Sequence, residues 1–307
     1  MAIHSIDALT PDDLSVVQAV LSAAVTADGR EAVSEAGRLR LRAGEARPGL
    51  HHLLQTDHRG PAGYAQVEAP EGEATATVEL TVHPDQRRRG LGRELVDAVL
   101  VAASGRTVDF WAHGGHPGAA RLAEHYGAAL VRELRQMRRT GPAPEPAPLP
   151  GGVTLRTFRP GQDDEAWLRL NALAFAHHPE QGSWTGRDLA DRLAEPWFDP
   201  NGFFLAVRQE AAGERVVGFH WTKVHPATGT DPELGEVYVV GVDPAEQGNG
   251  LGRALTAAGL RHLAQDRGLG TVLLYVDADN TAAVRVYEKA GFTVHEVDLM
   301  YQVKPGR

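Results

Sequence analysis

The pattern of apolar and polar positions along the chain repeats once. In each half, an amphipathic helical pattern is followed by short apolar runs, a glycine-rich loop, a second amphipathic helix, a strand and a further helix. The first half predicts these elements at 12–25, 52–56, 63–67, 75–82, 91–103, 107–111 and 117–125. The second half predicts them at 162–176, 203–207, 216–223, 235–242, 251–266, 271–276 and 281–289. A period of about 160 residues is too long for a solenoid, so we interpret the chain as a tandem duplication of one α/β domain.

A proline-rich stretch separates the two halves. Residues 140–152 read TGPAPEPAPLPGG, a composition that favours extended polyproline II and gives a semi-rigid spacer. We therefore predict an N-terminal domain over residues 1–140, a linker over 141–152 and a C-terminal domain over 153–307. Each domain is expected to be an α/β fold with a mixed sheet.

The composition is that of an ordinary globular protein. Of the 307 residues, 42% are hydrophobic and 23% are charged, which is enough to bury two domain cores. Neither a signal peptide nor an apolar stretch long enough to span a bilayer is visible, so we expect a cytoplasmic protein that does not bind membranes. We also expect a monomer. The formal net charge of −9 argues against a nucleic-acid partner. The absence of cysteine excludes disulfides and thiolate metal sites, and the scattered histidines lack metal-ligand spacing, so we expect no metal.

Two glycine-rich loops stand at matching places in the two halves. They read RRRGLGREL at 87–95 and QGNGLGRAL at 247–255. Neither is a Walker A loop, because no Lys-Ser or Lys-Thr follows, and neither has the third glycine of a dinucleotide-binding fingerprint. At the start of a helix, such glycines let backbone N–H groups approach a diphosphate, which Arg93 and Arg253 can also reach. An ordinary glycine turn before a helix is the alternative, which two matched copies disfavour.

These features resemble the GNAT family of acetyl-CoA-dependent N-acetyltransferases. The loops match the pyrophosphate-binding pattern of that family, and NTAAVRVYEKAGF at 280–292 is similar to its stretch in which an Asn and the following helix contact the CoA arm. The resemblance therefore implies acetyl-CoA as co-substrate. The implied CoA contacts are Leu80, Thr81, Val82, Arg88, Arg89, Gly90, Leu91, Gly92 and Arg93 in the first copy and Val240, Gly241, Val242, Gln247, Gly248, Asn249, Gly250, Leu251, Gly252, Arg253, Asn280, Thr281, Ala282, Ala283, Val284 and Arg285 in the second.

Acetyl transfer to a primary amine needs a base and an acid. The amine is mostly ammonium at neutral pH, so a proton must leave before attack, and the departing CoA thiolate must be protonated. Glu236 begins the strand that runs into the second loop, and we interpret it as amine ligand and base, directly or through water. The resemblance places Tyr287 at the position of the family's acid near the sulfur. A solvent-exposed strand-edge carboxylate and a packing aromatic side chain are the respective alternatives.

Several segments of the second half resemble one tandem-domain branch of the family. They include FAHHPEQGSWT at 175–185, GFHWTKVHP at 218–226 and GEVYVVGVDP at 235–244. That resemblance implies the cysteinyl amine of a pseudo-disaccharide as acceptor, and as its ligands Glu35, Glu180, Lys223, Glu236 and Tyr275. Glu35 would require the first domain to contribute to the substrate site of the second. An aminoglycoside, polyamine or peptide amine as acceptor is one alternative, and a non-catalytic acyl-CoA-binding regulatory module is another.

The two copies differ at the proposed catalytic positions. An offset of 160 residues aligns Ala76 with Glu236, and an offset of 164 aligns Ala123 with Tyr287. Neither alanine can take or give a proton. We therefore expect the second domain to catalyse the transfer. The first would hold acetyl-CoA without transferring from it, as a scaffold or a spare binding site.

Overall fold

The computed structural model describes residues 2–42, 46–178, 180–211, 213–227 and 232–305. The chain divides into two compact units, which we call unit 1 and unit 2. Unit 1 contains residues 1–135, 277–279 and 296–307, and unit 2 contains residues 136–276 and 280–295. The units follow the two sequence halves apart from short segments, since residues 136–140 belong to unit 2 and the end of the chain to unit 1.

Twelve strands and eight α-helices are assigned within the described residues. The strands are β1 (Ala2–Ile6), β2 (Leu50–Asp57), β3 (Gly60–Glu68), β4 (Thr75–Val82), β5 (Thr107–Ala112), β6 (Ala129–Thr140), β7 (Val153–Thr157), β8 (Phe203–Glu210), β9 (Gly213–His225), β10 (Leu234–Val242), β11 (Thr271–Asp277) and β12 (Thr293–Val303). The helices are α1 (Pro11–Asp28), α2 (Glu35–Arg42), α3 (Leu91–Ala102), α4 (Pro117–His125), α5 (Asp164–Ala174), α6 (Gly186–Leu193), α7 (Leu251–Arg261) and α8 (Thr281–Lys289).

Unit 1 is a mixed sheet with helices on both faces. Its strand order is β1-β2-β3-β4-β5-β12. The pair β4–β5 is parallel, the other pairs are antiparallel, and β12 contributes its residues from 299 onward. Because side chains alternate between the faces of a strand, Leu54 packs with Val17 of α1 on one face, while Val78 packs with Leu95 of α3 on the other. The two helices therefore bury opposite faces of the same sheet.

Unit 2 has the corresponding arrangement with a more aromatic core. Its strand order is β6-β11-β10-β9-β8-β7. Helix α7 covers one face, and α5 and α6 cover the other. On the α5 side, Trp167, Phe203 and Trp221 are fully buried, and the rings of Phe203 and Trp221 stack with centroids 4.4 Å apart. These packed rings form the core on the face of the sheet to which the candidate active-site residues of β9 and β10 belong.

The backbones of the two units differ by a β-bulge in β10. The register of β10 against β9 shifts between Val237 and Val239, whereas β4 pairs with β3 without a shift. The extra residue changes which face the next side chain points to, so Val237 packs toward α7 and Val239 toward α5. The structural counterpart of Glu236 is therefore Thr77 and not Ala76 as the constant offset predicts, which corrects the alignment but again supplies no titratable group.

Strong hydrophobic periodicity predicted most of the elements correctly. The predicted bounds of β4, α4 and α8 match the observed ones. The helix predicted over 251–266 ends at Arg261 and continues as a π-helical turn from His262 to Asp266. Strands β1, β6, β7 and β12 and helices α2 and α6 were not predicted from periodicity, because short or strongly charged segments give weak periodic signals.

Residues 141–152 form neither helix nor strand. In the part of the chain that the structure describes, no helix is both long enough and apolar enough to cross a membrane.

Candidate active site

Each glycine-rich loop turns from a strand into the first turn of a helix. The residue before α3 is Gly90 with φ 92°, and the residue before α7 is Gly250 with φ 91°. Other residues rarely adopt this left-handed conformation, so both positions favour glycine. Neither glycine offers a capping side chain, and the N–H groups of a first helical turn that lack such a cap form a site for an anion.

The three arginines before Gly90 have different surroundings. Arg87 forms a bidentate ion pair with Asp28 at 2.7 and 2.6 Å, and this hydrogen-bonded guanidinium holds the pKa of Asp28 below its usual value. Arg89 donates to Asp57 at 3.1 Å. Arg88 is exposed and has φ 64°, a left-handed conformation in a residue other than glycine. Two arginines thus brace the loop, and the third is presented to solvent.

A cavity of about 530 Å³ adjoins this loop in unit 1. It is lined by eight of the nine residues that the sequence predicted as CoA contacts in the first copy, namely Leu80, Thr81, Val82, Arg88, Gly90, Leu91, Gly92 and Arg93. The ninth, Arg89, is turned toward Asp57. The volume and the cationic lining suit a phosphorylated ligand.

The unit 2 loop is braced from a different direction. Glu246 accepts two hydrogen bonds from Arg208, at 3.0 and 2.7 Å, and one from Arg215 at 2.9 Å. The ion pair with Arg208 is the main reason why the pKa of Glu246 is lowered. The Asn249 Oδ1 atom accepts from the N–H of Leu251 at 3.1 Å. The predicted CoA contacts of this loop are therefore held by a network of charged side chains that lies outside the motif itself.

The strand that enters the unit 2 loop opens away from β11. The parallel pairing of β10 with β11 covers Gly235 to Val237 only, while pairing with β9 continues to Val242. Beyond Val237, the β11-facing N–H and C=O groups of β10 thus leave that ladder. Gly241 lies in this segment, and a Cβ atom there would be 2.7 Å from the ring of Phe219, so glycine is required for the close approach.

Glu236 and Lys223 are direct partners across the β9–β10 pair. Both are buried, at 5% exposure each. The Lys223 Nζ atom lies 4.7 Å from the ring centroid of Trp197 and 5.1 Å from that of Tyr238, so aromatic faces stabilise its charge. The structure places these two predicted residues side by side on the α5 face of the sheet, and the buried setting differs from that of a solvent-exposed strand-edge carboxylate.

The partner of Glu236 is a histidine that was not predicted from the sequence. The His225 Nε2 atom lies 2.6 Å from the Glu236 Oε2 atom. His225 pairs with Leu234, two residues before Glu236, so the contact is a diagonal one across the strands. The alternation Lys223, Val224, His225 places both polar side chains on one face, and this pattern could have identified the histidine.

Tyr287 lies on α8, packed edge-on against Phe292 with ring centroids 5.9 Å apart. Burial raises the pKa of the Tyr287 phenol to about 12, so the hydroxyl is protonated at neutral pH. Asn280 caps this helix, and its Oδ1 atom accepts from the N–H of Ala283 at 3.1 Å. The Asn motif therefore sets the start of the helix that positions the tyrosine.

The remaining predicted substrate ligands have diverse positions. Tyr275 lies on β11 and is 43% exposed, and its hydroxyl accepts a hydrogen bond at 2.9 Å from Gln136 of β6, which the sequence analysis did not single out. Glu180 lies in an exposed turn between α5 and α6. Glu35 is the first residue of α2 in unit 1, while the other four lie in unit 2.

A buried charge network that was not predicted from the sequence occupies the matching face of unit 1. His113 contacts Glu79 at 2.8 Å and Asp298 at 3.2 Å through its two ring nitrogens. Burial alone would lower the pKa of His113, but the hydrogen bonds that its ring donates to the two carboxylates raise the pKa to about 10. Both carboxylates neutralise the same imidazolium. The three groups are therefore bound to one another, and none of them is available as a free base.

In the described ranges, no three or more His, Asp or Glu side chains are grouped as ligands for a metal ion.

Similarity to known proteins agrees with this geometry. Residues 166–292 match the "Acetyltransferase (GNAT) family" and residues 48–127 match an "Acetyltransferase (GNAT) domain". The chain belongs to the GNAT family of acetyltransferases, as a tandem of two such domains. Acetyl-CoA is the acetyl donor of this class of enzyme.

One curated relative, mycothiol acetyltransferase from Streptomyces griseus subsp. griseus, is 57% identical over 98% of this chain and 95% of its own length. Among solved structures, a GCN5-related N-acetyltransferase from Sphaerobacter thermophilus is 28% identical, covers 99% of this chain and 97% of its own, and has a TM-score of 0.67. A tandem GNAT protein from the clavulanic acid biosynthesis pathway covers 100% and 99% with a TM-score of 0.75 at 20% identity, a likeness of fold alone.

Proposed function

We propose that the protein transfers the acetyl group of acetyl-CoA to the cysteinyl amine of cysteinyl-glucosaminyl-inositol, the last step of mycothiol synthesis. The observation that carries the proposal is the buried carboxylate of Glu236, opposite Lys223, on the strand that leads into the unit 2 glycine loop. The near full-length similarity to mycothiol acetyltransferase, at 57% identity, supports this acceptor.

Glu236 is the amine ligand and base of the proposed reaction. The carboxylate attracts the ammonium group, and its burial at 5% exposure limits screening of that attraction. Glu236 then takes a proton from the nitrogen, directly or through water, and the freed lone pair attacks the thioester carbonyl. The N–H groups of Val240 to Val242 polarise that carbonyl and bind the pantetheine arm, which is supported by the end of the β10–β11 ladder at Val237.

Tyr287 is the acid of the proposed reaction. Collapse of the tetrahedral intermediate breaks the carbon–sulfur bond, and the phenol gives its proton to the departing thiolate. A pKa near 12 keeps the phenol protonated over the whole working range of pH. The position in the last turn of α8, the helix that Asn280 caps, supports a place beside the CoA arm.

The remaining predicted residues bind substrate and cofactor. Glu180, Lys223 and Tyr275 bind the amine and the hydroxyl groups of the pseudo-disaccharide, and Glu35 is retained as a further predicted ligand. The residues from Gln247 to Arg253 and from Asn280 to Arg285 hold the phosphates and the CoA arm. The two braced loops and the first-turn N–H groups of α3 and α7 support this assignment.

Unit 1 holds acetyl-CoA without transferring from it. The cavity of about 530 Å³ beside Arg88 and Arg93 supports binding. Thr77 stands where unit 2 has Glu236, and Ala123 stands where it has Tyr287, so the acid and the base are both missing.

Turnover of a defined amine tests the proposal. The purified protein is incubated with acetyl-CoA and cysteinyl-glucosaminyl-inositol, and both the loss of acetyl-CoA and the formation of product are followed by mass spectrometry. We expect the acetylated cysteinyl amide as product. An aminoglycoside, a polyamine and a peptide amine serve as comparison acceptors. Faster turnover of any of these, with none of the cysteinyl amine, would overturn the proposed substrate.

Dialysis against a chelator is expected to leave the rate unchanged, and size-exclusion chromatography is expected to show a monomer.

A further inference from the structure

We infer that His225 is a positioning residue of the reaction, which holds one carboxylate oxygen of Glu236 so that the other faces the amine. This inference rests on the proposed function of Glu236 as amine ligand and base. It assigns a role to a side chain that neither the glycine loop nor the acid motif includes.

The geometry of the contact is that of a directional hydrogen bond. The His225 Nε2 atom and the Glu236 Oε2 atom are 2.6 Å apart. An ionised carboxylate can only accept, so the ring nitrogen must be the donor. The Glu236 side chain is 7% exposed and the His225 side chain 33% exposed. The imidazole therefore lies on the solvent side of a carboxylate that is otherwise enclosed.

A buried glutamate needs such a partner to present a single oxygen. The terminal torsion of a glutamate side chain is broad and roughly two-fold, so the carboxylate plane is weakly fixed by the chain alone. A hydrogen bond to Oε2 restricts this rotation and leaves Oε1 for the amine. Errors of about 1 Å in the placement of a reacting group can cost about 100-fold in rate.

The other polar groups of this face have different tasks. Lys223, directly opposite Glu236, is held over the rings of Trp197 and Tyr238. Tyr275 is hydrogen-bonded to Gln136 on the neighbouring strand. Lys223 supplies positive charge and Tyr275 a hydroxyl, and the His225 ring contacts the Glu236 carboxylate directly.

Two substitutions at His225 separate positioning from simple packing. In His225→Gln, the side-chain amide can place an N–H donor close to the Nε2 position, whereas His225→Leu removes the donor. We expect His225→Leu to lower kcat by about 10-fold or more and His225→Gln to stay within about threefold of wild type. The KM for acetyl-CoA should not change in either. Val224→Ala on the same strand is the control, because its side chain packs toward the opposite face.

A double-mutant cycle with Glu236→Gln tests whether His225 acts through the carboxylate. If it does, His225→Leu lowers kcat in the wild-type background and adds little to the loss already caused by Glu236→Gln. Independent, additive losses would overturn the inference, and so would a wild-type kcat in His225→Leu. A loss in His225→Leu that tracks a lower melting temperature, and that Val224→Ala reproduces, would also overturn it.

The outcomes distinguish this inference from the proposed function. A wild-type enzyme that does not acetylate the cysteinyl amine contradicts the proposed function. A wild-type enzyme that does so, with His225 variants of unchanged kcat, contradicts only the role of His225.

Discussion

At the scale of single residues, the chemistry depends on which groups are buried together. Glu236 was selected from its place on the strand that enters the second glycine loop, whereas Lys223 and Tyr287 were selected through the resemblance to the GNAT family. The partner His225 is 11 residues from Glu236, and in unit 1 Asp298 is 185 residues from His113. The alternation around His225 indicates only the face on which the ring lies, and no local pattern encodes the two contacts themselves, so the fold decides which of these groups meet.

Tyr287→Phe tests the acid. The phenylalanine keeps the packing against Phe292 and removes only the hydroxyl, so the structure should be unaffected. We expect kcat to fall by about 10²- to 10⁴-fold, as is usual for loss of general acid catalysis, with nearly unchanged acetyl-CoA binding. Steady-state kinetics at saturating substrates measure the loss. An unchanged kcat, together with a pre-steady-state rate equal to wild type, would remove the tyrosine from the chemical step.

His220 predicts how unit 2 responds to acid. Burial lowers the pKa of His220 to about 4, and its Nδ1–H donates to the carbonyl of Leu255 at 2.7 Å. A histidine that stays neutral in the folded state takes up a proton on unfolding once the pH falls below its ordinary pKa near 6.5. From pH 7 to pH 5, this one group should therefore cost unit 2 about 2 kcal/mol of unfolding free energy.

His220→Asn should remove that dependence. The asparagine can still donate to the Leu255 carbonyl but does not titrate. Urea unfolding at pH 7 and pH 5, followed by tryptophan fluorescence, reports mainly on unit 2, which holds Trp167, Trp184, Trp197 and Trp221. The variant is less stable than wild type at pH 7, but its stability should fall less between the two pH values. Equal losses in the two proteins would show that His220 is not the acid-sensitive group.

At the scale of elements, the sequence predicted which segments are strands and helices better than how they pair. The glycine loops, their preceding strands and the starts of their helices were predicted within one residue, because the apolar periodicity there is strong, whereas the predicted end of α7 was five residues too late. The bulge in β10 could not be predicted from the sequence, since an extra residue changes the pairing of β10 with β9 but leaves no signal in the amino-acid composition of the strand. This is why a constant offset aligned Glu236 with Ala76, while the backbone aligns it with Thr77. Likewise, residues 136–140 belong to unit 2 through their pairing with β11.

The unit 1 loop contains a residue whose backbone conformation suits glycine. Arg88 has φ 64°, while the aligned position in unit 2 is Gly248 with φ 80°. Arg88→Gly should therefore leave unit 1 equally stable or stabilise it by up to about 1 kcal/mol, since glycine adopts this conformation without strain. We expect the same change to weaken CoA binding in unit 1 by about 10-fold, because a charge-assisted hydrogen bond to phosphate is lost.

Calorimetric titration of CoA into Arg88→Gly measures that loss, in a Gly252→Glu background so that unit 1 alone reports. Hydrogen exchange of the β4 amides follows the stability of unit 1. Unchanged affinity would mean that Arg88 is not a phosphate ligand, and a less stable unit 1 would contradict the backbone argument.

At the scale of the whole molecule, the two units have glycine loops of the same backbone conformation in different surroundings. In unit 1, the face that corresponds to the candidate active site carries the closed network of Glu79, His113 and Asp298. In unit 2, the same face carries Glu236 on β10 and Lys223 on β9, and the pairing of β10 with β11 ends at Val237. We therefore expect both units to bind the CoA moiety and only one to use it for transfer.

A matched pair of glutamate substitutions tests this division. Gly92 and Gly252 are equivalent positions in the first turns of α3 and α7. A Cβ atom has room at both, with contacts no closer than 3.4 Å to Leu122 and 3.7 Å to Val242. Gly90 and Gly250 are avoided, because their left-handed backbone would add strain to any substitution. Each new carboxylate would lie where the diphosphate is proposed to bind.

Repulsion between the new carboxylate and the adjacent diphosphate should cost several kcal/mol. Gly252→Glu should therefore lower kcat/KM for acetyl-CoA by about 10²-fold or more. Gly92→Glu should leave turnover within about twofold of wild type and instead abolish the binding of one of the two CoA molecules. Steady-state rates and calorimetric stoichiometry are measured on both variants, with circular dichroism to establish that each is folded. The reverse result, in which Gly92→Glu stops turnover and Gly252→Glu does not, would assign the reaction to unit 1. Glu236 and Tyr287 would then be part of a binding site without catalysis.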